Sequence, residues 1–353
     1  MDLFLEKDLI GLDIGSSSIK LVELQDTKKG YRLRNVGIGF LPLGTIVDGA
    51  LKDRLAVIDI IQNLVSNLGI KSRNVATSIS GHSVIIKTIS LPVMSEKDLE
   101  ESIKWEAEQY IPFEIDDVNI DFQILGETAG EKGQMNVLLV AAKRDMISDY
   151  VQVIKEAGLN TVVMDTDSFA LENMFEINYP YDEGEVIALI DVGANILNMN
   201  VLKGGVSVFT REVSIGGNRV TVEIQKRKNI SYEEAEVLKI GGLTAEIDYS
   251  EIENIVEEVS LSLAIEIQRS LDFFWATFSD EHISRIYVSG GCSKSVGFKR
   301  IVASRVGDIP VELVNPFAGI DCSDEDFDPE YLEYTAPFMA VGVGLALRRV
   351  GDK

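Results

Sequence analysis

Residues Ile10–Leu24 read IGLDIGSSSIKLVEL, and the fold turns on this stretch. Ile10, Leu12 and Ile14 alternate with Gly11 and Asp13, the period-two pattern of a strand, and Ile19, Leu21 and Leu24 restore an apolar run after a break. The break, Gly15-Ser16-Ser17-Ser18, carries no bulky side chain, so its N–H groups and hydroxyls can approach a phosphate closely. Asp13 precedes the turn, where a carboxylate can hold a hydrated magnesium ion. Lys20 follows it, where an ammonium can meet the same phosphates. Taken alone, the stretch is equally an ordinary hairpin with a polar turn.

The pattern returns in the second half of the chain. Val186–Asp191 (VIALID) is an apolar strand, Val192-Gly193-Ala194-Asn195 a small-residue turn, and Ile196–Leu202 a second strand. Gly204-Gly205 then lead into Val206–Ile215, closed by Gly216-Gly217. Asp191-Val192-Gly193 thus repeats Asp13-Ile14-Gly15. Two strand–turn–strand units, each delivering an aspartate into a turn, suggest two related halves with one ligand between them. A third turn, Ser289-Gly290-Gly291-Cys292-Ser293, ends an apolar strand at Ile283–Val288. Its backbone can lie flat against a ring or sugar, or simply join the strand to the next helix.

Composition narrows the function classes. A chain of 353 residues has room for two full cores, and 46% hydrophobic with 25% charged residues is an ordinary globular make-up. The net charge of −24 argues against nucleic acid, whose phosphates need a basic surface, and against unaided binding to an anionic membrane. A polyphosphate ligand on so acidic a chain needs a local lysine and a metal ion, which Lys20 and Asp13 can supply. Two cysteines, Cys292 and Cys322, and two histidines, His82 and His282, are too few for a disulfide framework or a zinc site. The opening MDLFLEKD has no basic region followed by an apolar core. The longest apolar run, near Ala336–Leu347, is too short for a bilayer and is interrupted by Pro337. A cytoplasmic protein is expected.

In chain order, a third strand is expected at Tyr31–Leu41, a helix at Asp53–Leu68 stopped by Gly69, and a strand at Val75–Ser80. A compact α+β unit then interrupts the domain. It comprises a strand at Val84–Leu91, a helix capped by Ser95 and running to about Tyr110, strands at Val118–Leu125 and Met135–Ala141 around the turn Gly126–Gly133, and a helix at Arg144–Ala157. Leu99, Ile103 and Ala107 form the buried stripe of its first helix. Trp105 lies off that stripe, either packed on the domain edge or exposed as an anchor for a partner peptide. A strand at Asn160–Thr166 then runs into a helix at Asp167–Glu176. Asp165 and Asp167 fall at the carboxyl edge of a sheet, where ligands sit, and Asp167 either caps the helix or positions a water. Residues 218–278 read as mostly helical, followed by helices at Val296–Val306 and Ala336–Arg349, the last rich in small residues that allow close packing.

Taken in order, these motifs resemble the actin/Hsp70/sugar-kinase superfamily. GLDIGSSSIK is similar to its first phosphate loop, ALIDVGANI to its second and IYVSGGCSKSVGF to its adenosine loop, with Asp165–Leu171 and Ala336–Leu347 in the places of its two connecting segments. The inserted unit resembles those of the FtsA and PilM families. SGHSVIIKTISLP, KWEAEQYIPF and DVNIDFQILGE resemble the PilM family in particular, the cytoplasmic actin-like component of type IV pilus assembly.

The resemblance implies an α/β, actin-like (ribonuclease H-like) two-domain fold with an inserted α+β subdomain of the SHS2-like, FtsA-type 1C kind. Subdomain 1A would take residues 1–83, 164–185 and 335–353, and 1C residues 84–163. Subdomain 2A would take 186–217 and 283–334, and helical 2B 218–282. It further implies ATP with Mg²⁺ in the cleft. Asp13 and Asp191 match the metal-side acids. Gly15, Ser16, Ser17, Ser18 and Lys20 match the first phosphate loop, Gly193, Ala194 and Asn195 the second, and Gly290, Gly291 and Cys292 the adenosine contacts. Relatives carry Gln or Glu at the water-positioning place, where this sequence offers Asp165 or Asp167; their shorter reach implies at most slow hydrolysis. The implied partner is the N-terminal cytoplasmic peptide of PilN, with Trp105 and Tyr110 as the expected contacts, and through it the other pilus platform and motor components at the inner face of the inner membrane. Two alternatives stay open: a self-associating FtsA-like filament protein, which would add a membrane helix beyond the last core helix where this sequence stops, or a small-molecule kinase, which needs a further aspartate base.

Overall fold

A computed structural model describes residues 9–127, 133–242, 249–323 and 326–351. The opening alternation becomes a meander of β1 (Ile10–Ile14), β2 (Ser18–Thr27) and β3 (Gly30–Phe40), paired antiparallel in that order. A small hairpin of β4 (Ile46–Val47) and β5 (Ala50–Leu51) precedes α1 (Arg54–Asn67), whose N-cap Asp53 accepts the Ala56 N–H. β6 (Asn74–Ile79) returns parallel to β1. The inserted unit follows as β7 (Val84–Pro92), α2 (Glu96–Ala107), β8 (Val118–Glu127) and β9 (Gln134–Lys143). Then come α3 (Arg144–Glu156), β10 (Asn160–Thr166) parallel to β6, and α4 (Asp167–Asn178).

The second half repeats the plan. β11 (Val186–Val192), β12 (Leu197–Lys203) and β13 (Val206–Val213) form a meander. Three helices, α5 (Asn218–Lys228), α6 (Tyr232–Lys239) and α7 (Tyr249–Thr277), lead to β14 (Ile283–Ser289), which lies parallel to β11. α8 (Phe298–Arg305), β15 (Val311–Leu313), α9 (Pro329–Thr335) and α10 (Ala340–Ala346) complete it. The sheet orders are β3-β2-β1-β6-β10 and β13-β12-β11-β14-β15. Strand for strand, they are one topology used twice.

Strand parity distributes the side chains among the layers. Ile10, Leu12 and Ile14 face α1 and α3, sharing a core with Val57, Ile61 and Val153. Val186, Ala188, Ile190 and Val192 face the helices of the second half, with Val256, Leu263 and Phe274. Ile187 and Leu189 point the other way, into a central core shared by both sheets, α4 and α10, with Val22, Ala170, Phe175 and Val343. A fourth core fills the inserted unit, where Leu99, Ile103 and Ala107 of α2 cover Ile89, Val137, Leu139 and Ala141 of its three-stranded sheet. Tyr150, Val153 and Ile154 of α3 belong to the core of the first sheet, which also takes in Val84 and Ala142 from the near ends of β7 and β9, so the packing changes there from one core to the other.

Several expected boundaries move. α2 stops at Ala107, leaving Tyr110 in the turn beyond it. The helix expected at Ala336–Arg349 is a 3₁₀ turn at Ala336–Phe338 followed by α10, because Pro337 lacks the N–H that a continuous helix needs. Likewise Gly297, at φ +73°, delays the start of α8 to Phe298. Most of the turn Gly126–Gly133 and the opening MDLFLEKD lie outside the described residues. Among those described, no helix is long and apolar enough to cross a membrane.

The C-terminal segment is tied down by a buried ion pair. Arg348 Nε stands 3.1 Å from Asp165 Oδ2, a side chain only 3% exposed. Burial pushes the Asp165 carboxyl up to about 6, against the opposing pull of Arg348. A folded-state pKa above the unfolded value means stability is lost as pH rises through it. Replacing Arg348 by Met removes the opposing charge and raises that pKa further, at about 1.4 kcal/mol per unit. Urea unfolding should therefore show the Arg348→Met variant closest to the parent at pH 5 and most destabilised at pH 8. A second expectation concerns α10, which packs backbone-close on α4: a Cβ at Gly344 would collide with the Ala170 carbonyl. Gly344→Ala should cost roughly 1–3 kcal/mol despite alanine's better helix propensity, whereas Gly184→Ala, with open space around it, should shift the urea midpoint little.

Candidate functional site

The two repeated turns close in the same way. Gly15 N–H donates to the Ser18 carbonyl at 3.1 Å, and Gly193 N–H to the Ile196 carbonyl at 2.9 Å. In register, Asp13 then faces Lys20 and Asp191 faces Asn198. Both turns open into one cavity of about 650 Å³ between the sheets. Gly15, Ser16, Ser17, Ser18 and Lys20 line it from the first half, Gly193 and Ala194 from the second, and Gly290, Gly291 and Cys292 from the third turn. Asn195 does not line it. Its Oδ1 accepts from Asn218 Nδ2 at 2.7 Å and so ties the second turn to α5.

Three aspartates line the phosphate-loop end of this cavity. Asp13 is buried and pairs with Lys20 Nζ at 3.1 Å. Burial raises its pKa, Lys20 opposes the rise and the charge on Asp167 adds to it. Asp191 accepts from the Ser289 hydroxyl at 2.7 Å. Burial pushes its carboxyl up to about 6, that hydroxyl opposing and Asp167 adding. Asp167 accepts from Ser78 Oγ of the first sheet at 2.6 Å and from Asn198 Nδ2 of the second at 3.4 Å. Its helix is capped by Thr166, whose hydroxyl accepts the Phe169 N–H, so Asp167 is released from capping and faces the cleft. Asp165 does not line the cavity; its carboxylate is taken up by Arg348.

At the other end, the glycines of the third turn are sterically required. Gly290 has φ +84°, and a Cβ there would collide with the Val192 carbonyl; one at Gly291 would lie 2.6 Å from Phe338 Cε1. Cys292 is buried behind them, its thiol pushed up to about 11 by burial. Sequence reasoning missed the polar wall facing this turn. Lys239, 5% exposed, donates to Glu236 Oε1 at 2.6 Å and Thr221 Oγ1 at 3.0 Å, and Tyr232 donates to Asn218 Oδ1 at 2.5 Å. Tyr232, Glu236 and Lys239 all line the cavity. The signal available was a lysine one residue after Leu238, on the apolar stripe of a short capped helix.

The two expected partner contacts stand apart from the cleft, on the inserted unit. Trp105 is 75% exposed on α2. Tyr110 is half-buried against the inserted core, with Lys87 Nζ 5.1 Å from its ring centre.

Comparison with solved structures finds the same two-sheet arrangement elsewhere. A chain of a PilM-PilN type IV pilus biogenesis complex matches with a TM-score of 0.86 at 29% identity, over 98% of this chain and 99% of that one. The ethanolamine utilization protein EutJ from Carboxydothermus hydrogenoformans matches with a TM-score of 0.59 at 18% identity, over 96% of this chain and 89% of that one. MreB5 of Spiroplasma citri bound to ADP matches with a TM-score of 0.50 at 14% identity, over 96% and 94%. These likenesses make the fold actin-like. The family model described as type IV pilus assembly protein PilM matches residues 11–350. Spanning nearly all of the sequence, that match shows that the chain belongs to the PilM family.

Proposed function

We propose that the chain is an ATP-binding adaptor of the type IV pilus assembly platform, working at the cytoplasmic face of the inner membrane. The observation that carries the nucleotide part is the pair of equivalent turns, each with an aspartate at its mouth, opening into one cavity that ends at a glycine turn and a polar wall.

The residues fit magnesium and a nucleoside triphosphate. Ser16 and Ser17 offer N–H groups and hydroxyls at the first turn, with Gly193 and Ala194 across the cleft, and Lys20 supplies the cation. Asp13 and Asp191 would hold the metal through its water shell, and the metal's charge offsets that of the phosphates. Gly290 and Gly291 leave a flat surface for the base and sugar, with Glu236 and Lys239 able to bond their polar edges. Asp167 is the carboxylate placed to orient a water, and its short side chain is restrained by Ser78 and Asn198. Slow turnover follows, with the nucleotide acting mainly as a clamp between the halves.

The partner part rests on the structural match to a chain of the PilM-PilN complex. The N-terminal peptide of a PilN protein is the proposed ligand, with Trp105 and Tyr110 of the inserted unit as its aromatic contacts. Nucleotide can switch this binding only if it favours one lobe arrangement over the other.

Two measurements check the reading. Isothermal titration with Mg-ATP should give saturable binding that weakens by at least about tenfold in Asp13→Asn, the scale of one lost charged contact; equal affinity would remove the site. Titration of the PilN peptide should show binding that Trp105→Ala weakens by roughly tenfold, the cost of an aromatic anchor, with the urea midpoint unchanged because Trp105 is exposed. A peptide that fails to bind the parent chain refutes the adaptor role.

A further inference from the structure

The turn between β6 and β7, residues 80–83, touches three parts of the molecule at once. Ser80, and Ser78 and Ile79 at the end of β6 just before it, line the cavity. Gly81 N–H donates to Glu212 Oε2 of β13 at 2.5 Å, and His82 Nε2 shares a hydrogen bond with Ser214 Oγ at 2.8 Å, so the turn reaches across to the second sheet. On its other side Ser83 C=O accepts the Lys143 N–H at 3.0 Å, while Gly81 C=O accepts the Val84 N–H at 2.9 Å and closes the turn into β7. Val84 begins β7 and Lys143 ends β9, the two paired strands at the base of the inserted sheet. Gly81 holds φ +96°, a conformation that directs its N–H toward β13 and that a side chain would strain.

We propose that residues 80–83 form a latch through which closure of the two halves about the cleft sets the position of the inserted unit. The latch has polar contacts on both sides and no slack, because the turn is too short to move at one end without moving the other. The Glu212 carboxylate is kept there against its burial and the nearby charge of Asp167, which push it up to about 7, with the Gly81 N–H opposing. Residue 212 thus acts as a positioning residue, not a catalytic one. The proposal takes its input from the nucleotide reading above, but the latch exists without ligand.

Hydrogen–deuterium exchange on the full chain, resolved to single amides, tests it. Without nucleotide, Glu212→Ala should speed exchange at Gly81 and, through the latch, at Val84 and Lys143 by about tenfold, the scale of one lost hydrogen bond to a charged group. Amides in the middle of α7 should not change, and Glu212→Gln, which keeps an acceptor oxygen, should stay within about threefold of the parent. With Mg-ATP, the parent should slow at Val84 and Lys143, while Glu212→Ala binds nucleotide but shows no slowing there. Acceleration confined to Gly81, or none at all, overturns the latch. Should Mg-ATP fail to bind the parent, the nucleotide reading falls, and the ligand-free comparison still decides the latch.

Discussion

Where the central helices stop determines what this molecule can hold. β1 lies so close to α10 that a Cβ at Gly11 would strike the Gly342 carbonyl, so that position of the strand must be glycine. Two residues on, Asp13 has the same parity as Gly11 and points to the same side. It leaves the core because β1 ends at Ile14 and its last positions open on the cavity. β11 obeys the same rule: Ile187 and Leu189 enter the central core, and Asp191 takes the next place on that face. The cleft is thus the end of a shared hydrophobic layer. Its carboxylates occupy the positions that parity would fill with apolar residues one turn of helix deeper.

That placement has an electrostatic consequence. Burial and the charge of Asp167 raise the cost of ionising Asp13 and Asp191, and Lys20 is the cation that offsets it. Asp165 shows the contrast: equally buried, it has its own arginine and lies away from the cavity. Among the described residues Asp13 has Lys20, while Asp167 and Asp191 have hydroxyl or amide donors and no ion pair of their own, which is the arrangement expected where a cation arrives with the ligand.

Much of this was legible from residues 10–24 and 186–202, because period-two alternation and a glycine turn are local properties. The inserted unit was legible for the same reason, with Ser95 capping α2 as its spacing from Asp98 suggests. What escaped depended on distant partners. Asp165 and Asp167 are neighbours in sequence, and what separates their roles is Arg348, brought in from the far end of the chain. Lys239 sits on the apolar stripe of α6, but nothing local announces that α6 brings it and Glu236 to the cavity that holds Gly290. β15 and α9 are too short for periodicity to register. The break before α10, by contrast, was written in Pro337 and could have been read.

On the nucleotide reading proposed above, the site is better suited to holding its ligand than to splitting it. A general base must bring a free oxygen within hydrogen-bond reach of the attacking water. Both oxygens of Asp167 already accept hydrogen bonds, one from Ser78 in the first sheet and one from Asn198 in the second. Each oxygen keeps a second lone pair, but the two contacts fix where a water could meet it. The same side chain is therefore asked to bridge and to react, and its single methylene gives it little reach to do both. Asn198 adds to the constraint, because its register partner is Asp191 and its amide spans to Asp167. A site built this way uses Asp167 to bridge the two lobes and leaves Asp13 and Asp191, each bonded within its own half, facing the place proposed for the cation.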